Sequence, residues 1–317
     1  MIYQPEGYLI AGTENHECLS SLSGLERALD RQKILESTAL LCDGDFTLHF
    51  DLYGIRGRMP RSEVQYNRAG EETKDIAILT RVGKPTCFKV IGFRRDDRGE
   101  IYAVLSRKAA QAECRYQFIN DLSPGDVIPA RVTHLEPFGA FVDIGCGIIS
   151  LLSIDAISVS RITHPSDRFQ VGDRIYVAIK SFDEGGRVYV TQRELLGTWE
   201  ENIARFSTGQ TVAGIVRSIE SYGVFIELAP NLAGLAERKA PCEVGARAAV
   251  YIKSILPEKM KLKLVMIDTH PAPPEHTPLT YFIDPRKISH ISAWHYSPPG
   301  CSKVIETVFD EKKTGFV

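Results

Sequence analysis

Two aromatic side chains three positions apart, with a glycine between them, occur twice in this chain: Phe138/Phe141 around Gly139, and Tyr222/Phe225 around Gly223. A ring held in this way suits stacking against an unpaired base. Such a contact is worth roughly 1–3 kcal/mol per base and tolerates any base, because every base has a π-face. Cations supply the complementary chemistry of phosphate pairing and cation–π contact. Between Arg81 and Arg115, basic side chains outnumber acidic ones by nine to four. Aromatics on a turn together with a local basic segment point to single-stranded nucleic acid.

Other chemistries lack their residues. The chain has no phosphate-binding glycine loop, no nucleophile elbow and no Ser/His/Asp grouping, so it reads as no enzyme. Asp143 and Glu227 occupy equivalent positions in two repeats. They belong to different domains and read as residues flanking strands, not as a paired acid and base. His270, His276, His290, His295 and Cys301 crowd the C-terminal region, but their spacing fits no zinc pattern, so neither metal nor cofactor is expected. The seven cysteines contain no CxxC and no pairing framework, the usage of reduced thiols.

The elements that must position the aromatics come from the repeat itself. Residues 125–144 (GDVIPARVTHLEPFGAFVDI) align with 209–228 (GQTVAGIVRSIESYGVFIEL), so that Gly125 falls on Gly209, Val132 on Val216 and Phe141 on Phe225. A period of this size indicates tandem small domains. Residues 34–107 are an eroded third copy, in which Phe50-Asp51-Leu52 match Val142-Asp143-Ile144 and the charged DDRG turn (96–99) joins the last two strands. The expected segments are a helical extension (1–33), a degenerate barrel (34–107), two barrels (122–195 and 208–268) and a C-terminal extension (269–317). Residues 1–30 open with a turn-rich stretch, followed by a helix over SSLSGLERALDRQ. Linking helices are expected over 107–121 and 192–206, with Trp199 packing the second one onto a neighbouring barrel. The second module carries an insertion at 155–170, and Asp183–Gly186 turns its last hairpin. In the tail, HPAPPEHTP (270–278) reads as an extended connector. LTYFID (279–284) and SKVIETVF (302–309) read as the strands of a hairpin with HISAWHYSPPG as its loop.

Five short strands, an irregular mid-domain crossing and an FGxF element at the second strand describe an OB-fold barrel. GDVIPARVTHLEPFGAFVDIG followed by VGDRIYVAIKSFDEGGRVYVTQREL resembles the S1-type RNA-binding domain, the module repeated in bacterial ribosomal protein S1. The likeness is strong over 125–195, clear over 209–267 and weak over 34–107. It implies an all-β architecture of tandem five-stranded OB barrels joined by short helices, with RNA lying across one face of each barrel. It also implies contacts from the two aromatics, a His after the third strand, and an Asp and an Arg around the final hairpin. Carried onto this sequence, the second module supplies Phe138, Phe141, Asp183 and Arg187, with Ser153 in the His position. The third module supplies Tyr222 and Phe225, with Lys261 near the Arg position and Glu237 in place of the His. In the first module Phe46 and His49 take the aromatic positions and Pro60 that of the His, while Arg94, Arg95 and Arg98 decorate the last hairpin.

At 317 residues, with 44% hydrophobic and 25% charged side chains, the chain has the composition of two or three globular domains. No apolar run is long enough for a membrane span, and the opening residues form no secretory signal, so the expected location is the cytoplasm with no membrane partner. The resemblance implies single-stranded RNA as partner, and a translation-linked role near the small ribosomal subunit. The net charge of −2 is unusual for such a binder. Together with the missing His equivalents, it leaves open a scaffold whose barrels dock on the ribosome or another RNA machine. Single-stranded DNA also stays open, since stacking does not sense the 2′-hydroxyl.

Overall fold

A computed structural model describes residues 3–67, 72–237, 242–271 and 279–309. The chain divides into two compact units, Met1–Leu122 with Asp143–Ile149, and Ser123–Val142 with Ser150–Val317.

The first unit opens with two helices, α1 (Thr13–Leu19) and α2 (Leu22–Asp30). The opening is turn-rich over residues 6–11, as expected, but helix α1 follows it as an element not expected from the sequence. Its place is fixed from outside the segment: the Asn15 amide donates to Glu36 O and Asn15 Oδ1 accepts Glu36 N–H, while the Glu36 carboxylate accepts the N–H groups of Gly7, Leu9 and Ile10. Local spacing cannot reveal such long-range bonds. Helix α2 starts where the Ser21 hydroxyl accepts the Gly24 N–H. It buries Leu25 and Ala28 against the first barrel. That barrel closes in the order β1-β2-β3-β5-β4, from β1 (Leu35–Cys42), β2 (Leu48–Leu52), β3 (Ile55–Met59), β4 (Pro85–Arg95) and β5 (Ile101–Ser106), with short helix α3 (Asp75–Leu79) before β4. Leu48, Phe50, Leu52, Met59, Phe88 and Leu105 fill it. Helix α4 (Arg107–Gln117) follows, capped by Ser106.

The second barrel closes as β10-β8-β7-β6-β9, from β6 (Val127–Glu136), β7 (Gly139–Asp143), β8 (Ile149–Ser153), β9 (Arg174–Phe182) and β10 (Val188–Thr191), with α5 (Ile154–Ile157) after β8. The segment expected as one helix over 192–206 is broken. A single turn at Arg193–Leu196 ends at Gly197, whose φ of +82° no helix accommodates, and α6 (Trp199–Ile203) restarts behind a Thr198–Glu201 capping box. Trp199 is buried in the core of the third barrel. That barrel closes as β11-β12-β13-β15-β14, from β11 (Thr211–Glu220), β12 (Gly223–Ala229), β13 (Leu232–Glu237), β14 (Arg247–Leu256) and β15 (Lys261–His270).

The tail does form a hairpin, whose second strand lies within the expected 302–309 but whose first strand does not lie at 279–284. Strand β16 (Ala293–His295) lies inside the expected loop and pairs with β17 (Glu306–Val308), while 279–284 contain no strand. Trp294 and Tyr296 are buried in the third barrel's core, which fixes the strand there. Most of the proline-rich connector expected at 270–278, including His276, falls outside the described residues.

The insertion at 155–170 ties the two barrels of the second unit. The buried Asn231 side chain accepts the Val159 N–H and donates to the carbonyls of Arg193 and Gly197. Arg168, from the same insertion, pairs with Glu227, which also accepts Arg217 Nε at 2.9 Å. Glu227 is thus the shared anion of a buried Arg–Glu–Arg group.

Candidate nucleic-acid interface

In the third barrel, β11 and β12 meet at a turn that presents Tyr222, 67% exposed, beside the half-buried Phe225. Their ring centroids lie 6.2 Å apart at 90°. The edge of one ring points at the other, the favourable arrangement for an aromatic pair, and Tyr222 keeps its exposed position. Gly223 allows this geometry, since a Cβ there would sit 2.7 Å from the Ala236 carbonyl oxygen. Across the sheet, Phe225 pairs with Leu235, Leu235 with Lys263 and Lys263 with Ser254. The row leading away from the aromatics therefore reaches Lys263, with Lys253 and Lys261 exposed on the same two strands.

The second barrel repeats the arrangement. Phe138 is 54% exposed, and its ring lies 6.0 Å from Phe141 at 88°. A Cβ on Gly139 would meet the Leu152 carbonyl oxygen at 2.5 Å. The imidazole of His134 stacks beside Phe141 at 6.3 Å and 28°. Leu151, the equivalent of Leu235, pairs with Tyr189, and Tyr189 with Ser181. Val188 and Val190 point into the barrel, so alternation turns Tyr189 outward. Tyr189 thus takes the position that Lys263 holds in the third barrel. Neither residue stands out in the sequence, because the parallel pairing of the third and fifth strands is what brings them to the aromatic row. A regular period-2 reading of VYVT would have flagged Tyr189 as outward.

The residues expected around the final hairpins lie as follows. Asp183 Oδ1 accepts the Arg187 N–H at 2.8 Å, so the carboxylate shapes the β9–β10 turn while the Arg187 side chain is exposed. Lys261 opens β15, equivalent to Arg187. Ser153, in the expected His position, ends β8, and Glu237 ends β13 exposed.

The first barrel uses its residues differently. Phe46 packs against the barrel core with the Arg61 guanidinium 4.8 Å above its ring, and His49 Nε2 meets Asp43 Oδ2 at 2.7 Å. Neither ring forms an exposed pair like those of the other barrels, and Pro60 precedes the single turn Arg61–Glu63. Outward from β3, the Arg58 guanidinium covers Tyr102 at 4.2 Å, and Arg56 pairs with Asp96 and Glu100. Arg94, opposite Tyr102 in β4, is exposed, as are Arg95, which donates to Gly99 O, and Arg98.

Both carboxylates equivalent across the repeats are structural. Asp143 accepts the N–H groups of Glu6, Gly145 and Gly147, and burial, reinforced by the nearby Glu6 charge, pushes its pKa up to about 7. Glu227 holds the two arginines already described. Among the described residues no group of three or more His, Cys, Asp and Glu side chains is arranged to hold a metal ion. His290 instead meets Asp126, and His295 meets Glu306.

The family profile of the S1 RNA binding domain matches residues 121–191. The chain carries an S1 domain. This S1 domain coincides with the second barrel, which has the most aromatic face of the three. Over 240 residues the chain is 30% identical to small ribosomal subunit protein bS1 of Leuconostoc lactis, an alignment covering 68% of this chain and 52% of that protein. The same protein of Staphylococcus aureus is 30% identical over 237 residues, 72% of this chain and 57% of the relative. The chain thus spans about half the length of these curated relatives. Among solved structures, a multidomain protein with nucleic acid binding domains from Streptococcus pneumoniae aligns over 74% of this chain and 73% of its own, at 15% identity and a TM-score of 0.24. No described helix is long and apolar enough to cross a membrane.

Proposed function

We propose that this S1-domain chain binds single-stranded RNA across the outer faces of its second and third barrels, in a translation-linked role at the small ribosomal subunit. The observation that carries the reading is the perpendicular, exposed aromatic pair presented at the same place in both barrels, each at the head of a row ending in Tyr189 or Lys263. Stacking on such pairs needs unpaired bases, which makes single strands the target in preference to duplexes. Two linked faces convert modest single-barrel affinities into avidity. The bonds through Asn231 and Glu227 support this by holding both faces in one body. The ribosomal part of the reading rests on the bS1 relatives.

The test is a fluorescence-anisotropy titration of the whole chain with an unstructured RNA, a duplex of the same sequence and the matching DNA strand, at about 50 and 200 mM salt. Tighter binding of the RNA strand than of the duplex, weakening with salt, supports the reading. Equal affinity for the DNA strand restricts it to single strands in general. Absence of binding at low salt refutes it and favours the protein-docking scaffold, for which the acidic Glu237 and the occupied face of the first barrel speak.

A further inference from the structure

The two aromatic faces differ at one further position. Along the repeat His134 of β6 falls on Ser218 of β11, and Ser218 stands directly opposite Phe225 across the strands. In the second barrel the His134 imidazole lies 6.3 Å from the Phe141 ring at 28°, nearly parallel to it, whereas Phe138 meets the same ring at 88°. The His134 side chain is 62% exposed, so its ring extends the surface of Phe141 without being packed into the barrel. Ser218 offers the third barrel no ring and no nitrogen.

The imidazole is oriented from its own strand. His134 Nε2 lies 2.7 Å from Glu136 Oε1, and a carboxylate only accepts, so Nε2 carries the proton. In the neutral ring Nδ1 then holds a lone pair, and among the described residues nothing bonds to it. The outer face of the second barrel therefore presents one hydrogen-bond acceptor beside its stacking rings.

What this acceptor reaches follows from its plane. An imidazole lone pair lies in the plane of its ring, and a base stacked on Phe141 is nearly parallel to His134 as well. The edge of the base thus runs alongside the lone pair instead of into it. The sugar stands roughly perpendicular to its base and carries its hydroxyl groups out of the base plane, towards the level of the supporting rings. A phosphate oxygen is itself an acceptor, and the adjoining Glu136 carboxylate repels its charge. The ribose 2′-hydroxyl is a donor, and it is the group that separates RNA from DNA.

We propose that His134 is the ribose-sensing residue of the second barrel: its Nδ1 accepts a hydrogen bond from the 2′-hydroxyl of the nucleotide stacked on Phe141. The chain thereby gains a preference for RNA over DNA that stacking alone does not supply. This rests on single-strand binding at the aromatic faces and adds sugar selectivity to it, confined to the second barrel.

The experiment is a fluorescence-anisotropy titration of the full chain with uridine strands of one length, built on ribose, 2′-deoxyribose or 2′-fluororibose. Fluorine keeps the ribose-like sugar conformation and removes the donor. Wild type is compared with His134→Phe, which keeps a ring beside Phe141 and loses the nitrogen, and with His134→Ala, after circular dichroism confirms their folding. Wild type is expected to bind the ribose strand about two- to twelvefold more tightly than the other two, the worth of one neutral hydrogen bond. Both His134 variants are expected to bind all three strands with one affinity. Tyr222→Ala/Phe225→Ala lowers affinity but is expected to keep the ratio between strands. The proposal is overturned, with stacking left intact, by a ribose preference that survives in both His134 variants. Tight binding of the 2′-fluoro strand, or equal wild-type affinity for ribose and deoxyribose, overturns it in the same way. Absence of wild-type binding to every strand refutes the stacking reading and this proposal with it.

Discussion

Replacing both members of an aromatic pair by alanine removes the stacking surface while sparing the barrel, because Phe138 and Tyr222 are exposed and their partners are only half-buried. The perpendicular rings limit each pair to about one stacked base, since the edge of one ring occupies a face of the other. At roughly 1–3 kcal/mol per stacked base, each double substitution costs about five- to 150-fold in affinity. The two barrels differ in what remains. After Phe138→Ala/Phe141→Ala the second barrel loses the ring that His134 stacks on, and Tyr189 stands alone. After Tyr222→Ala/Phe225→Ala the third barrel keeps Lys253, Lys261 and Lys263. The second-barrel variant is therefore expected to lose more affinity, with little change in salt dependence. Anisotropy with the same RNA at several salt concentrations measures both quantities. Equal losses in the two variants, or losses below about twofold, refute the stacking geometry.

Lys263→Ala is expected to reduce the slope of log affinity against log salt by about one, as the loss of one phosphate contact does, whereas Tyr189→Ala lowers affinity at every salt concentration alike. Glu227→Ala leaves Arg168 and Arg217 buried without their shared anion and is expected to destabilise the second unit by about 3–5 kcal/mol in denaturant unfolding; a cost below about 1 kcal/mol would count against the Arg–Glu–Arg clamp. Gly139→Ala forces a Cβ toward the Leu152 oxygen and is expected to lower both stability and RNA affinity, with thermal unfolding and anisotropy as the readouts. Asp143, raised to about 7 by burial and by the Glu6 charge, binds its proton more tightly folded than unfolded. Its contribution to stability is present below the ordinary aspartate range and is lost as pH rises towards 7. Glu6 runs the other way: despite burial, Arg107 and Arg81 lower its pKa, and its contribution fades only under acid. The first unit's melting temperature is thus expected to fall between pH 5 and about 7 in wild type, and to do so less in Asp143→Asn; parallel profiles would refute this.

The second and third barrels were legible because the repeat carries its own turn chemistry. Gly139 and Gly223 occupy positions where a Cβ would strike the neighbouring strand, and the flanking aromatics follow from that turn. Tyr189 and Lys263 were not legible, since their membership of the aromatic row depends on a parallel pairing between strands far apart in sequence. Phe46 and His49 show the reverse: their spacing imitates the motif, but Arg61 and Asp43 engage them. Helix α1 and strand β16 escaped for one shared reason. Each is fixed by distant partners, Glu36 for the first and the third barrel's core for the second. The break at Gly197 was readable from the glycine alone, but the apolar positions on either side of it suggested a continuous helix.

The central claim, that RNA lies on the aromatic faces of the second and third barrels, is tested most directly by photocrosslinking. A thiouridine-substituted RNA is crosslinked to the whole chain, and the modified tryptic peptides are mapped. The account predicts crosslinks in peptides 132–161 and 218–238, which hold Phe138, Phe141, Tyr222 and Phe225. Crosslinks confined to the β4–β5 hairpin or to the C-terminal region, with those two peptides unmodified, would contradict it.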